Sequence, residues 1–116
     1  MMTFEEFEFL YNASGLGAEP EFYLYFGAYD DIEYMIIKFD DGPSFQRCEP
    51  NGSGEIFYKS LRELYTADLI DGINLKRDWH KLTCITPVHG EWIDYCYKLN
   101  IEYKEYYVNI SIINIS

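Results

Sequence analysis

Apolar residues at helical spacing mark three segments of the chain. Residues 4–12 follow a capping box, in which the side chains of Thr3 and Glu6 bind the first free amides of a helix. A second capping box, Ser60-Leu-Arg-Glu63, opens a helix in the middle of the chain. An apolar stripe predicts a third helix over residues 75–85, and a fourth can begin shortly after it. We therefore expect three or four short helices.

Between the first two helices, apolar and polar residues alternate with the period of a β-strand. Turn-forming residues divide this region into four strands, at 22–26, 32–39, 45–49 and 55–59. The connections GAYDD, DDGPS and PNGSG are short, which favours an antiparallel meander. The β-rich residues 106–116 predict a C-terminal strand that can extend the sheet. The predicted fold is α+β, with the helices mainly on one face of the sheet, in a single domain over residues 1–116.

A pairing of Phe26 with Ile32 across the first turn assigns every strand residue to one of two faces of the sheet. The first face is apolar and suited to receive helices, and we expect it to hold Phe22, Leu24, Phe26, Ile32, Tyr34, Ile36, Cys48, Ile56 and Tyr58. The second face mixes large apolar groups with carboxylates, and we expect it to hold Tyr23, Tyr25, Glu33, Met35, Ile37, Phe39, Phe45, Arg47, Glu49, Glu55 and Phe57.

The pattern leaves open what covers the second face. An antiparallel sheet usually exposes one face to water, but large exposed apolar patches are uncommon on monomeric proteins. In one interpretation, residues 88–116 or one of the helices fold over it. In the other, it is an acidic, tyrosine-rich docking surface, since aromatic residues are enriched at protein interfaces.

Charge favours a basic partner. The chain has 20 acidic and 9 basic residues, a net charge of −11, and 12 tyrosines. Such a charge disfavours direct binding to nucleic acid, which needs a basic surface, and binding to an anionic membrane. The acidic N-terminus does not resemble a secretion signal, and no apolar run is long enough to span a bilayer. The three cysteines form no close pair, so we expect reduced thiols and a cytoplasmic protein.

Residues suited to catalysis or metal binding are few. His80 and Cys84 would share one face of the predicted third helix, and His89 and Cys96 could supply two further metal ligands. Their spacing matches no zinc pattern, and a cysteine near a helix C-terminus lies where the helix dipole opposes thiolate formation. We therefore expect no enzyme, no metal and no other cofactor.

One basic stretch interrupts the acidic composition. It comprises Lys76, Arg77, His80 and Lys81 on the predicted third helix, with Lys59 and Arg62 near it in sequence. We interpret it as a solvated helix face or as a counterpart to the acidic half of the chain. A homodimer that joins the acidic second face to this helix is left open.

The sequence favours a small acidic inhibitor that occludes a basic, nucleic-acid-handling partner, of the phage anti-defence (anti-CRISPR or anti-restriction) or toxin-immunity type. Carboxylates along a sheet can stand in for phosphates, while aromatic side chains supply the desolvated centre of an interface. An oligomeric structural subunit and a small metal- or Cys/His-dependent enzyme are the alternatives. The predicted partner-binding residues are Tyr23, Tyr25, Glu33, Glu49 and Glu55, with a rim of Asp30, Asp31, Asp40 and Asp41.

Overall fold

The computed structural model describes residues 3–13, 19–27, 29 and 31–87, and its fold is α+β. In chain order the elements are α1 (Phe4–Ala13), β1 (Glu21–Phe26), β2 (Ile32–Phe39), β3 (Gly42–Glu49), β4 (Ile56–Phe57), α2 (Leu61–Thr66) and β5 (Leu82–Pro87). Two short 3₁₀ turns, Ile70–Gly72 and Trp79–Lys81, lie between α2 and β5. The predicted fourth helix beyond residue 87 and the predicted strand at 106–116 lie outside the described residues.

Both predicted capping boxes begin a helix. The backbone N–H of Thr3 donates to Glu6 Oε1 at 3.0 Å, and the N–H of Glu6 donates to Thr3 Oγ1 at 3.1 Å. Ser60 Oγ accepts from the N–H of Glu63 at 3.0 Å. These side chains satisfy amides that have no partner within the helix, which fixes where α1 and α2 start.

The five strands form one antiparallel sheet in the order β4-β3-β2-β1-β5. Phe26 lies opposite Ile32, so the predicted pairing across the first turn is confirmed. Gly27 follows β1 with a φ of +95°, and a side chain there would collide with the Asp31 carboxylate, so this turn requires glycine. The sheet has one strand more than the four predicted.

The predicted helix over residues 75–85 is wrong. Residues Trp79–Lys81 form a 3₁₀ turn, and Leu82–Pro87 form β5, which pairs with the free edge of β1. Leu75, Trp79, Leu82 and Ile85 are all buried, so the apolar stripe was a true core signal. A short apolar run fits both the helical period of about 3.6 residues and the strand period of two. Here the open edge of β1 favours the strand.

The first face of the sheet carries the core. Both helices lie against it, and the buried cluster comprises Phe4, Phe7, Tyr11, Phe22, Leu24, Tyr34, Ile36, Phe45, Leu61, Leu64, Leu69, Leu75, Trp79, Leu82 and Ile85. Aromatic rings meet edge to face at its centre, with 5.4 Å between the centroids of Phe7 and Phe22 and 5.5 Å between those of Phe4 and Trp79. Among the described residues, no helix is both long and apolar enough to cross a membrane.

The predicted faces of β3 are wrong for Phe45, Arg47 and Cys48. The β2–β3 connection is a two-residue turn, with Phe39 opposite Gly42, and not the predicted five-residue loop. A change of three residues in loop length reverses which side chains face the core. Phe45 therefore lies opposite Ile36 in the core, and its ring stacks on Tyr34 with centroids 5.3 Å apart.

Gly42 explains the short turn. Its φ is +128°, and a Cβ at this position would collide with the backbone carbonyl of Tyr58. Only glycine combines this conformation with such a close approach of two backbones. A bulge opposite Glu33 and Tyr34 then changes the register once more, so that Glu49 lies opposite Glu33.

Candidate partner-binding surface

The second face of the sheet carries no basic side chain among the described strand residues. The structure places Glu21, Tyr23, Tyr25, Glu33, Met35, Ile37, Phe39, Ser44, Gln46, Cys48, Glu49, Phe57 and Cys84 on it. Arg47, the one base predicted there, points to the first face, where it binds Asp71. The second face therefore lacks the one base predicted for it, and it also lacks Phe45, which lies in the core.

Tyr23, Tyr25 and Glu33 lie together on the neighbouring strands β1 and β2, as predicted. The two tyrosine rings are 6.4 Å apart between centroids, and Glu33 is directly opposite Tyr25. The Tyr25 hydroxyl therefore lies near the Glu33 carboxylate. Burial and this carboxylate raise the pKa of Tyr25, and burial with Glu21 and Glu33 raises the pKa of Tyr23. Both phenols are consequently neutral hydrogen-bond donors at physiological pH.

Two residues of this cluster were not predicted to belong to it. Glu21 lies on the second face because β1 begins one residue earlier than expected, and extending the period from Tyr23 back by two would have found it. Cys48 is predicted on the first face, but its thiol lies near Glu33 on the second face. Burial, followed by Glu33, raises the pKa of Cys48 to about 11, which leaves little thiolate at neutral pH.

The apolar part of the second face is partly exposed. Tyr23, Met35 and Ile37 are each partly accessible to solvent. Phe57 is 64% exposed on the short edge strand β4, with its ring 5.8 Å from that of Phe39 between centroids. Residues 88–116, which could cover this face, lie outside the described residues. Both interpretations of the second face therefore stand as predictions.

The other predicted binding residues surround this centre. Glu49, opposite Glu33, and Asp31 lie at one end of the sheet, whereas Asp40 and Asp41 form the β2–β3 turn at the other end. All four are exposed. Glu55 lies beside the edge strand, where the Ser44 hydroxyl donates to its Oε2 at 2.5 Å. Asp30 lies outside the described residues.

Asp71 binds Arg47 on the first face, where the register of β3 places that side chain. Arg47 Nη1 lies 2.6 Å from Asp71 Oδ1, and Arg47 Nε donates to the carbonyl of Asn51 at 2.7 Å. The Tyr34 hydroxyl donates to the same carboxylate. These hydrogen bonds, that of Tyr34 first, lower the pKa of Asp71, so the carboxylate is ionised and its pair with Arg47 is formed at neutral pH.

His80 and Cys84 do not share a helix face, because the predicted third helix is not formed. His80 lies in an exposed 3₁₀ turn, whereas Cys84 lies in β5 opposite Tyr25 and is buried on the second face. His89 and Cys96 lie outside the described residues. Within the described part of the chain, no cluster of three or more His, Cys, Asp or Glu residues is arranged to hold a metal ion.

Comparison of the chain with protein-family models, with curated proteins and with solved structures finds no match in any of the three.

Proposed function

We propose that this protein is a stoichiometric inhibitor, which uses the second face of its sheet to occlude a partner with a basic, nucleic-acid-handling surface. Such an inhibitor is of the phage anti-defence or toxin-immunity type. The main support is the charge of this face, where the described strand residues include Glu21 and Glu33 but no lysine or arginine. A negative surface of this kind speeds association with a basic partner and disfavours acidic ones.

The aromatic residues supply the second requirement of a binding surface. Tyr23 and Tyr25 are neutral and partly exposed, and their rings contact each other with 6.4 Å between centroids. A tyrosine fixed in this way offers a large contact area with little loss of side-chain entropy on binding. The rim carboxylates of Asp31, Asp40 and Asp41 are exposed at the two ends of the sheet and are suited to guide the partner.

The test is a binding assay against a panel of basic nucleases, at increasing salt concentration. We expect 1:1 complexes whose affinity falls as salt rises, because exposed charge pairs are screened. The variant E33Q/E49Q removes two charges from the second face and keeps side chains of nearly the same size and shape. Its matched control, E5Q/E8Q, removes two charges from α1 on the opposite side of the sheet.

We expect the E33Q/E49Q variant to bind at least about tenfold more weakly than the wild type, and the control to bind within about threefold of it. Binding that does not change with salt would contradict the electrostatic basis of the proposal. Equal losses in the two variants would show that overall charge matters and that the second face is not the binding site.

A second candidate function is an oligomeric structural or assembly subunit. The observation that favours it is the edge strand β4, where both Ile56 and Phe57 are exposed. An apolar sheet edge with unpaired backbone groups can pair with another chain. Light scattering over a range of concentrations tests it, since a concentration-dependent oligomer that F57S abolishes would favour this function over a monomeric inhibitor.

A further inference from the structure

A basic pocket lies on the opposite side of the molecule from the second face. It is a shallow, open depression of about 560 Å³ between α2 and the segment that follows the Ile70–Gly72 turn. It is lined by Arg62, Tyr65, Thr66, Asn74, Lys76 and Arg77. Three of these six side chains are cationic in a chain with 20 acidic and 9 basic residues.

Arg62 and Lys76 have no acidic partner within the described part of the chain. Its salt bridges join Arg47 to Asp71, and Arg77 and Lys81 to Asp78. With more than twice as many acids as bases, an exposed base of this protein is expected to find a carboxylate. Two bases that have none among the described residues, beside one pocket, therefore form a local positive potential in an otherwise negative molecule.

Two of the three cations of the pocket, Lys76 and Arg77, are held in position by the fold. The Lys76 ammonium lies 5.8 Å from the ring centroids of both Phe4 and Tyr65, and those two rings meet edge to face. Arg77 is fixed by Asp78, with Nε 3.1 Å from Oδ1 and Nη2 2.9 Å from Oδ2. Arg77 Nη2 also donates to the carbonyl of Gly72 at 3.1 Å. A site whose donors are already placed loses less entropy when a ligand binds.

Asn74 adds a neutral donor to the pocket. Its Oδ1 accepts from the backbone N–H of Arg77 at 2.9 Å, which identifies the other side-chain atom, Nδ2, as the donating group. Arg77 also has two acids near it. Asp78 binds Arg77 and lies 3.5 Å from Lys81 Nζ, and Asp68 raises the pKa of Arg77 from a distance.

We propose that this pocket binds the phosphate group of a small phosphorylated ligand. A guanidinium, an ammonium and an amide donor around one depression match the several acceptor oxygens and the double charge of a phosphate. The volume is sufficient for a ligand larger than a single phosphate. The site is separate from the inhibitory surface, since its residues belong to the helical layer that covers the first face.

The test is a titration of the full chain with inorganic phosphate and with pyrophosphate, followed by NMR amide shifts at constant ionic strength in chloride. We expect saturable shifts confined to α2 and residues 72–78, with pyrophosphate bound more tightly. R62Q and K76Q should each weaken pyrophosphate binding at least about tenfold, since each removes a charge-assisted hydrogen bond. Thermal unfolding of each variant shows whether its fold is intact. If only one of the two variants folds, its pyrophosphate affinity alone tests the proposal.

The matched control is K59Q, which removes an exposed base just before α2 that does not line the pocket. K59Q should change the affinity less than about threefold, and E33Q/E49Q should leave it unchanged. Shifts that do not saturate, or an equal loss in K59Q, would overturn the proposal. It would also be overturned if the same amide shifts arise without phosphate on concentrating the protein, because the pocket would then hold the acidic surface of a second copy.

Discussion

The hydroxyl of Tyr34 donates a hydrogen bond to Oδ2 of Asp71 across a distance of 2.6 Å, although the two residues are 37 positions apart in the sequence. Asp71 has a φ of +63°, a backbone conformation that residues other than glycine rarely adopt. Its carboxylate also accepts from Arg47 Nη1 at 2.6 and 2.8 Å. One turn residue therefore joins the two central strands β2 and β3 through their side chains.

Replacing Tyr34 with phenylalanine should destabilise the protein by about 1–2 kcal/mol, measured by urea unfolding. The change removes a donor to an ionised carboxylate but leaves the stacked ring and the Arg47 contact in place. Tyr29→Phe is the matched control, because Tyr29 is 89% exposed, and it should change the stability by less than about 0.5 kcal/mol. Equal stabilities of the two variants would show that the bond to Asp71 contributes nothing.

A pair of alanine variants can show whether the second face of the sheet is less buried than the first. Phe45 is 1% exposed and packed on Tyr34, so Phe45→Ala should cost about 3–5 kcal/mol. Phe57 is 64% exposed, so Phe57→Ala should cost less than about 1 kcal/mol in the same urea titration. A loss at Phe57 as large as that at Phe45 would mean that the second face is a second interior, and the proposed binding surface would not exist.

The features that sequence predicted correctly are those set by local residues. The Thr3 and Ser60 caps fixed the starts of α1 and α2, and the alternation around the first turn fixed the pairing of Phe26 with Ile32. The cluster of Tyr23, Tyr25 and Glu33 follows from that same register.

The errors arose where a contact distant in sequence decides the structure. The faces of β3 depend on a two-residue turn, which Gly42 permits only because the backbone of Tyr58 passes close to it. The stretch from Leu82 to Ile85 fits a helix or a strand equally well, and the free edge of β1 selects the strand. Neither the position of Arg47 nor the pocket between α2 and Lys76 could be predicted, since both follow from those contacts.

Stability should fall in acid because of Asp78. Its buried carboxylate binds the side chain of Arg77 and the N–H of Asn74, and these hydrogen bonds, those of Arg77 first, lower its pKa below the ordinary value of 3.8. A carboxyl whose pKa is lower in the folded state stabilises the fold above its unfolded pKa. This stabilisation is therefore complete above about pH 4 and decreases as the pH falls towards the folded pKa.

Asp78→Asn should lower the stability at neutral pH and flatten its decline in acid, measured as the urea midpoint between about pH 6 and about pH 2.5. Asp71 keeps its lowered pKa in this variant, so some acid dependence remains. The control is Asp41→Asn in the exposed β2–β3 turn, where asparagine is also a good turn residue. If both variants keep the full acid slope of the wild type, Asp78 is not its source.

The thiol of Cys48 should react slowly with alkylating reagents and become faster when Glu33 is neutralised. Burial and Glu33 raise its pKa to about 11, so roughly one thiol in a thousand is ionised at pH 8, against about a quarter of ordinary thiols. We expect iodoacetamide to modify Cys48 of the folded chain about a hundredfold more slowly than in the urea-unfolded chain, as followed by mass spectrometry of the Cys48 peptide.

Glu33→Gln should shift the pH profile of this reaction to lower pH, whereas Glu5→Gln on α1 should leave it in place. A profile that titrates near the ordinary thiol value in the wild type would show that neither burial nor Glu33 acts on this thiol in solution. A change of rate without a shift of the profile would indicate altered access to Cys48 and not altered charge. Because Cys48 lies beside Tyr23 and Glu33, a partner seated on the second face should slow the reaction further, which makes this thiol a direct reporter of the proposed binding surface.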